Sequence, residues 1–233
     1  MIIRKILNKI YKLAYPPHRY SKESFSQEGE DLIVRSIFAS KQNVGFYVDI
    51  GAHHPYRLSN TFCFYEMGWS GINIDPIPNM KPLFDSHRPR DVNLNLGVSN
   101  YSGEMKYFIF NEPAVNTFNE QLAFELANEP KHGCKLIETK VVKVDTLANI
   151  LNSHLINGKS IDFMSIDVEG YELEVLQSND WLKYRPKVLL VEIHSLDFEN
   201  LYNNKVYKYL NDIGYKMIAK TLITSFWQES CKG

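Results

Sequence analysis

The sequence predicts an α/β fold with a doubly wound, mostly parallel β-sheet. Three observations predict it. Five runs, FYVDI (46–50), GINID (71–75), VNLNLGV (92–98), IDFMSID (161–167) and KVLLVEI (187–193), are apolar over most of their length, as strands buried on both faces are. Helical segments at 59–68, 78–86, 170–178 and 203–213 alternate with them, and strand–helix–strand order implies parallel crossovers. Polar residues stand at the carboxyl end of every run, with carboxylates at four of the five.

Taken in order, the chain begins with MIIRKILNKIYKLAY. Ile3, Ile6, Leu7, Ile10, Leu13 and Ala14 share one helical face and basic residues the other. Residues 1–22 carry +6 with no acid, within a formal net charge of −1. No uninterrupted apolar core or small-residue cleavage site follows, so neither a signal peptide nor a membrane span is expected. The expectation is a helix packed on the domain or on a sister subunit of a homo-oligomer. The alternative is weak contact of residues 1–15 with an anionic membrane surface. Pro16 and Pro17 end this extension. Residues 23–233 then read as one domain.

SQEGEDLIVRS (26–36) reads as a helix before the first strand. The strand–helix order is interrupted at about 103–151. There EMKYFIF and TKVVKV alternate like antiparallel strands, around a polar stretch, 111–138, with room for a short helix. A long insertion on a rigid scaffold is a common place for substrate recognition.

Composition narrows the function. The chain has 233 residues, 44% hydrophobic and 13% aromatic, enough for a sizeable core. No basic stripe suggests nucleic acid. Cys63, Cys134 and Cys231 lie far apart, which suits neither a disulfide framework nor a CxxC motif and fits a reducing cytoplasm.

In open α/β sheets ligands sit beyond the carboxyl ends of the strands. The first strand ends in Asp49-Ile50-Gly51-Ala52-His53-His54, and the second in Asp75, 24 residues after Gly51. An acid there accepts ribose hydroxyls. A pyrophosphate requires a glycine-rich loop, whereas this turn has Gly51 alone and then two imidazoles and Pro55. That argues against NAD. S-adenosylmethionine has no phosphate, so one glycine suffices for it. Asp49 would orient water or the donor's ammonium group.

The sequence resembles the FkbM family of S-adenosylmethionine-dependent methyltransferases. VDIGAHHP (48–55), SNTFCFYEMGWSGINIDPIP (59–78), LNLGVSNYSG (94–103), IDFMSIDVEGYELEVL (161–176) and VEIH (191–194) carry the resemblance, and SFSQEGED (24–31) fits the lead-in of a subgroup. It covers roughly residues 24–220. The resemblance implies a class I methyltransferase (Rossmann-like) fold and methyl transfer, usually to a hydroxyl oxygen, often of a sugar. It implies that Asn60 or Thr61 faces the methionine tail. It also implies that the third strand's end, from Asn95 to Gly97, lies beside adenine, and that His54 faces the methyl end. Ser59 reads as a helix N-cap. Phe62, Phe64, Tyr65 and Trp69 read as core.

Asp167, Glu169, Glu192 and His194 form a second cluster at neighbouring strand tips. Neighbouring parallel strands lie about 4.8 Å apart, so converging carboxylates would repel one another. A divalent cation resolves the conflict, and oxygen ligands with one imidazole suit Mn²⁺, Mg²⁺ or Fe²⁺. The expectation is therefore an O-methyltransferase acting on a hydroxyl of a nucleotide-activated sugar or glycan. Asp49, Gly51, Asn60, Thr61, Asp75, Asn95 and Asp167 would hold the donor, and Asp167, Glu169, Glu192 and His194 the cation. His194 or His54 would accept the proton, with Asp167 beside the reacting oxygen. The alternatives are an NAD-dependent sugar dehydrogenase, which wants a GxGxxG turn, and a non-catalytic membrane-associated module, which wants degraded strand-end acids. Neither feature is present in the sequence.

Overall fold

The computed structural model describes residues 21–41, 44–128, 133–155, 158–193, 199 and 201–230. The helix expected over 1–15 and His194 lie outside the described residues.

Helix α1 (Glu30–Ile37) leads into β1 (Phe46–Ile50). Then come α2 (Phe62–Glu66), β2 (Ser70–Ile74), α3 (Met80–His87) and β3 (Val92–Leu94). The chain continues through β4 (Gly97–Val98), β5 (Gly103–Phe110), α4 (Glu120–Asn128) and β6 (Leu136–Asp145). It returns through α5 (Leu147–His154), β7 (Phe163–Ile166), α6 (Glu172–Gln177) and β8 (Val188–Glu192). It closes with α7 (Lys205–Asp212), β9 (Tyr215–Lys220) and β10 (Thr224–Glu229).

Seven strands form the main sheet in the order β3-β2-β1-β7-β8-β10-β9. The first five pair in parallel, and β10 runs antiparallel to both neighbours. This is the mixed α/β, Rossmann-like architecture that the resemblance implies. Strand order reverses between β1 and β7, so their carboxyl ends flank the crevice where such sheets bind ligands.

Alternation along the strands builds the core on both faces. Val48, Ile50, Ile72, Met164, Leu189 and Val191 pack with α5, α6 and α7 on one face. Tyr47, Phe163, Leu190 and Phe226 pack with Val34 of α1 and with Cys63, Phe64 and Tyr65 of α2 on the other. Trp69 is buried there too, so the aromatic run after Asn60 serves the core. Each such side chain contributes about 1.5–3 kcal/mol on full burial. No helix among the described residues is long and apolar enough to cross a membrane.

Two differences from the sequence pattern matter for the site. The run 92–98 is one apolar stretch but two strands: β3 stays in the main sheet, while β4 joins a second sheet, β4-β6-β5. The break falls at Asn95, whose Nδ2 donates to the carbonyls of Asp75 and Ile77 at 2.9 Å each. Gly97 then permits contact with the roof, since a Cβ there would lie 2.4 Å from the Phe118 ring. The second difference is the hairpin β9–β10. Its signal is weak in sequence because β9 is a partly exposed edge strand and β10 is polar at both its ends.

Candidate active site

A cleft of about 940 Å³, counting its open mouth, lies over the carboxyl ends of β1, β2, β7 and β8. Asp49, Gly51, Asn60, Asp75, Asp167, Glu169 and Glu192 all line it. Tyr107 of the second sheet and Pro113, Asn116 and Phe118 of the segment that follows β5 roof it.

At one end stand two buried acids. Asp49 is only 4% exposed. Its Oδ2 accepts from the Thr61 hydroxyl at 2.6 Å. Burial holds its carboxyl above the usual carboxylate range, a rise that the Thr61 bond and the Arg88 charge only partly offset. Thr61 is wholly buried and does not line the cleft; it holds Asp49 from behind. Behind Thr61 lies Arg88, also wholly buried. Its guanidinium donates to Thr61 Oγ1, Ser59 Oγ and the Pro55 carbonyl at 2.7 Å each. The rings of Phe62, Tyr65 and Phe84 surround it at 5.5–5.8 Å. The N-cap of α2 is Thr61, not Ser59 as expected; Ser59 lies two residues earlier, and its Oγ accepts from Phe62 N at 3.1 Å. This fork fixes the whole 55–61 loop, and Lys cannot reproduce it. Arg88→Lys is therefore expected to cost about 1–3 kcal/mol of stability in denaturant titration.

Asp75 accepts from the backbone amides of His53 and Ile77 at 2.7 Å each. Burial outweighs both bonds and pushes its carboxyl up to about 6. A carboxylate has about four acceptor positions, so two remain for a diol. Asn60 is steadied by its Nδ2 bond to Ser165 Oγ at 3.0 Å. Asn95, expected beside adenine, is not among the cleft-lining residues; it braces the Asp75–Ile77 turn from outside.

The two histidines separate. His53 lines the cleft in a left-handed conformation, φ 53°. Burial, then the Arg57 charge, lowers its imidazole to about 4, so it is neutral at physiological pH. Its Nε2 lies 2.8 Å from Arg57 Nη1. His54, expected at the methyl end, is not among the lining residues. Its Nδ1 accepts from Arg57 N at 3.2 Å and its ring packs edge-on to Tyr56 at 4.4 Å. The positive φ at residue 53 makes this exchange, and the sequence carries no signal for it.

At the other end, carboxylate oxygens of Asp167, Glu169 and Glu192 lie within 4.8 Å of one another. Asp167 is raised well above the usual carboxylate range by burial, then by the charge of Glu192 and a hydrogen bond with it, then by Glu169 and Glu172. Burial raises Glu172 to about 7, though its Oε1 accepts from Gly170 N at 2.9 Å. The roof grips this turn: Thr117 Oγ1 donates to the Glu169 carbonyl at 2.7 Å. The wall beyond Glu192 comes from Gln27 and Glu30 of the lead-in and from Thr224 of β10. Thr224 Oγ1 donates to Glu30 Oε1 at 3.2 Å. In sequence Gln27 and Glu30 are legible only as part of a helix lead-in, and Thr224 carries no signal.

The donor sets discriminate between ligands. Buried Asp49 and Asp75 suit a ribose diol and an ammonium group, and among the described residues no run of glycine amides lines the cleft to cradle a pyrophosphate. That fits S-adenosylmethionine. Three hard oxygen ligands fit Mg²⁺ or Mn²⁺, and a dication would relieve the repulsion around Asp167. The chain matches the sequence model of the Methyltransferase FkbM domain over residues 49–217. No curated protein matches it.

Proposed function

The chain belongs to the FkbM methyltransferase family, and from that premise we propose that it is an S-adenosylmethionine-dependent O-methyltransferase acting on a hydroxyl of a nucleotide-activated sugar or glycan, with a divalent cation at Asp167, Glu169 and Glu192. One observation carries the reading. A single cleft has two buried acids at its β1–β2 end and a carboxylate trio at its β7–β8 end.

S-adenosylmethionine supplies an electrophilic methyl group, and the cation supplies charge that favours loss of a hydroxyl proton. The chain's own residues do the rest. Asp75 binds the ribose hydroxyls, while Asp49 and Asn60 orient the methionine tail. Tyr107 and Phe118 exclude water on the roof side. Aligning donor and oxygen in this way contributes several kcal/mol of the rate enhancement. His194, two residues beyond Glu192, is the proposed proton acceptor.

The test is mass spectrometry of purified chain with S-adenosylmethionine, Mn²⁺ or Mg²⁺, and a panel of activated sugars and oligosaccharides. A methylated product is expected, lost in chelator and restored by metal. Asp167→Asn should lower turnover at least about 100-fold while changing donor affinity only a few-fold, because an amide is a poor ligand for a hard cation. Full turnover in excess chelator would remove the cation and leave methyl transfer standing.

A further inference from the structure

The roof carries a buried hydrogen-bond donor that the protein itself leaves unused. Asn116 is only 6% exposed and lines the cleft. Its Oδ1 accepts from Phe110 N at 2.8 Å, which fixes the amide's orientation and leaves Nδ2 as the free branch. Nδ2 has no hydrogen-bond partner among the described residues. The backbone at residue 116 is extended and Thr117 bridges to Phe108, so Asn116 and Phe118 face the same side. That side is the cleft, which both residues line. The Asn116 amide acts on the Tyr107 hydroxyl, which also feels the nearby Asp75 charge. A hydroxyl there takes at most one of the two amide hydrogens. Buried donors in folded proteins are almost always paired, so this one calls for an acceptor on the ligand.

The surroundings say which part of the ligand. On the proposed function, Asp75 holds the ribose, and Asp49 and Asn60 hold the methionine tail. The base then extends from the ribose past Ile77, two residues beyond Asp75. Ile77 packs there with Tyr107 and Phe118, whose ring centroids are 4.8 Å apart. Val98 and Gly97 complete this apolar stretch of the cleft. Apolar walls suit the faces of a flat heteroaromatic ring, but its edge still needs polar partners. A ring nitrogen of adenine only accepts. The carboxylates of the cleft, when ionised, cannot serve it, whereas an amide N–H can.

Resting on the S-adenosylmethionine reading, we infer that Asn116 reads the donor's base: its Nδ2 donates to a ring nitrogen of adenine, which makes the insertion a specificity element for the donor. Calorimetry on the full chain at pH 8 compares S-adenosylhomocysteine with its 1-deaza, 3-deaza and 7-deaza analogues, each with one ring nitrogen replaced by C–H. For the parent, the analogue lacking the contacted nitrogen is expected to bind roughly 10–100-fold more weakly, because a C–H leaves the buried amide unpaired. Asn116→Asp keeps an oxygen for Phe110 N but replaces the amide donor with a carboxylate. It should bind S-adenosylhomocysteine at least about 10-fold more weakly, and the penalty for that one analogue should shrink to within about 3-fold. Asn116→Ala, which loses the Phe110 bond as well, should collapse the same ratio. A purely structural role would weaken all four ligands alike and leave every ratio as in the parent, and that result would overturn the inference. A parent that binds all four equally would overturn it too. Failure of the parent to bind S-adenosylhomocysteine at all would instead remove the reading beneath it, and the inference with it.

Discussion

Gly51→Ala is expected to destabilise the fold by about 2–5 kcal/mol and to disrupt the cleft with it. Gly51 sits at φ 76°, where an L side chain is strained by about 1–2 kcal/mol. A Cβ there would lie 1.7 Å from the Asp167 carbonyl oxygen and 2.8 Å from its carbonyl carbon. Both are backbone atoms, so no side chain can rotate away. Relief would require separating the tips of β1 and β7, where Asp167 N donates to the Ile50 carbonyl at 3.0 Å. Overpacking of this kind adds about 1–3 kcal/mol. Chemical denaturation measures the sum. A loss below about 1 kcal/mol would show that the turn relaxes freely and that Gly51 is not required by packing.

Asp75→Ala is expected to weaken donor binding roughly 10²–10⁴-fold. The carboxylate anchors the turn through the His53 and Ile77 amides and, on the proposed function, accepts two ribose hydroxyls. Hydrogen bonds to a charged group contribute about 1.5–3 kcal/mol each. The pH dependence has a defined sign. The carboxyl titrates at about 6 in the fold, above its ordinary value of 3.8. The folded state therefore holds this proton more tightly. The stability linked to it is full below pH 3.8 and is lost as pH rises through 6. Donor affinity runs the other way, because the hydroxyls need the ionised form: it should climb through pH 6 and level off above it. Calorimetry with S-adenosylhomocysteine across pH 5–8 reads the affinity, and denaturant titration across pH 3–8 reads the stability. An Asp75→Ala variant that binds as tightly as the parent would move the ribose elsewhere.

The sequence displays the floor of the cleft well and its supports poorly. Asp49, Asp75, Asp167 and Glu192 are legible because apolar strands end at them, and strand ends in such sheets meet the ligand. Supports follow a different logic. Arg88 sits in the polar string HRPRD, which reads as surface, yet it is wholly buried beneath the 55–61 loop. Asn95 lies within an apolar run and shows no sign that its amide breaks the strand. The choice of His53 over His54 depends on one backbone dihedral. Glu30 reaches the cleft only through the fold, from a segment more than 100 residues before β8. Such long-range neighbours leave no local periodicity to read.

The second sheet has a further consequence. Gly103, where β5 begins, pairs directly with Val144 near the end of β6. Residues this close in a ladder have Cα atoms about 5 Å apart. The roof therefore departs from and returns to the same spot, as a cassette does. Its forty-odd residues can be lengthened, shortened or exchanged between relatives while the seven-stranded scaffold keeps its register. Evolution can thus retune what covers the cleft by recombination at one seam, without disturbing the acids beneath.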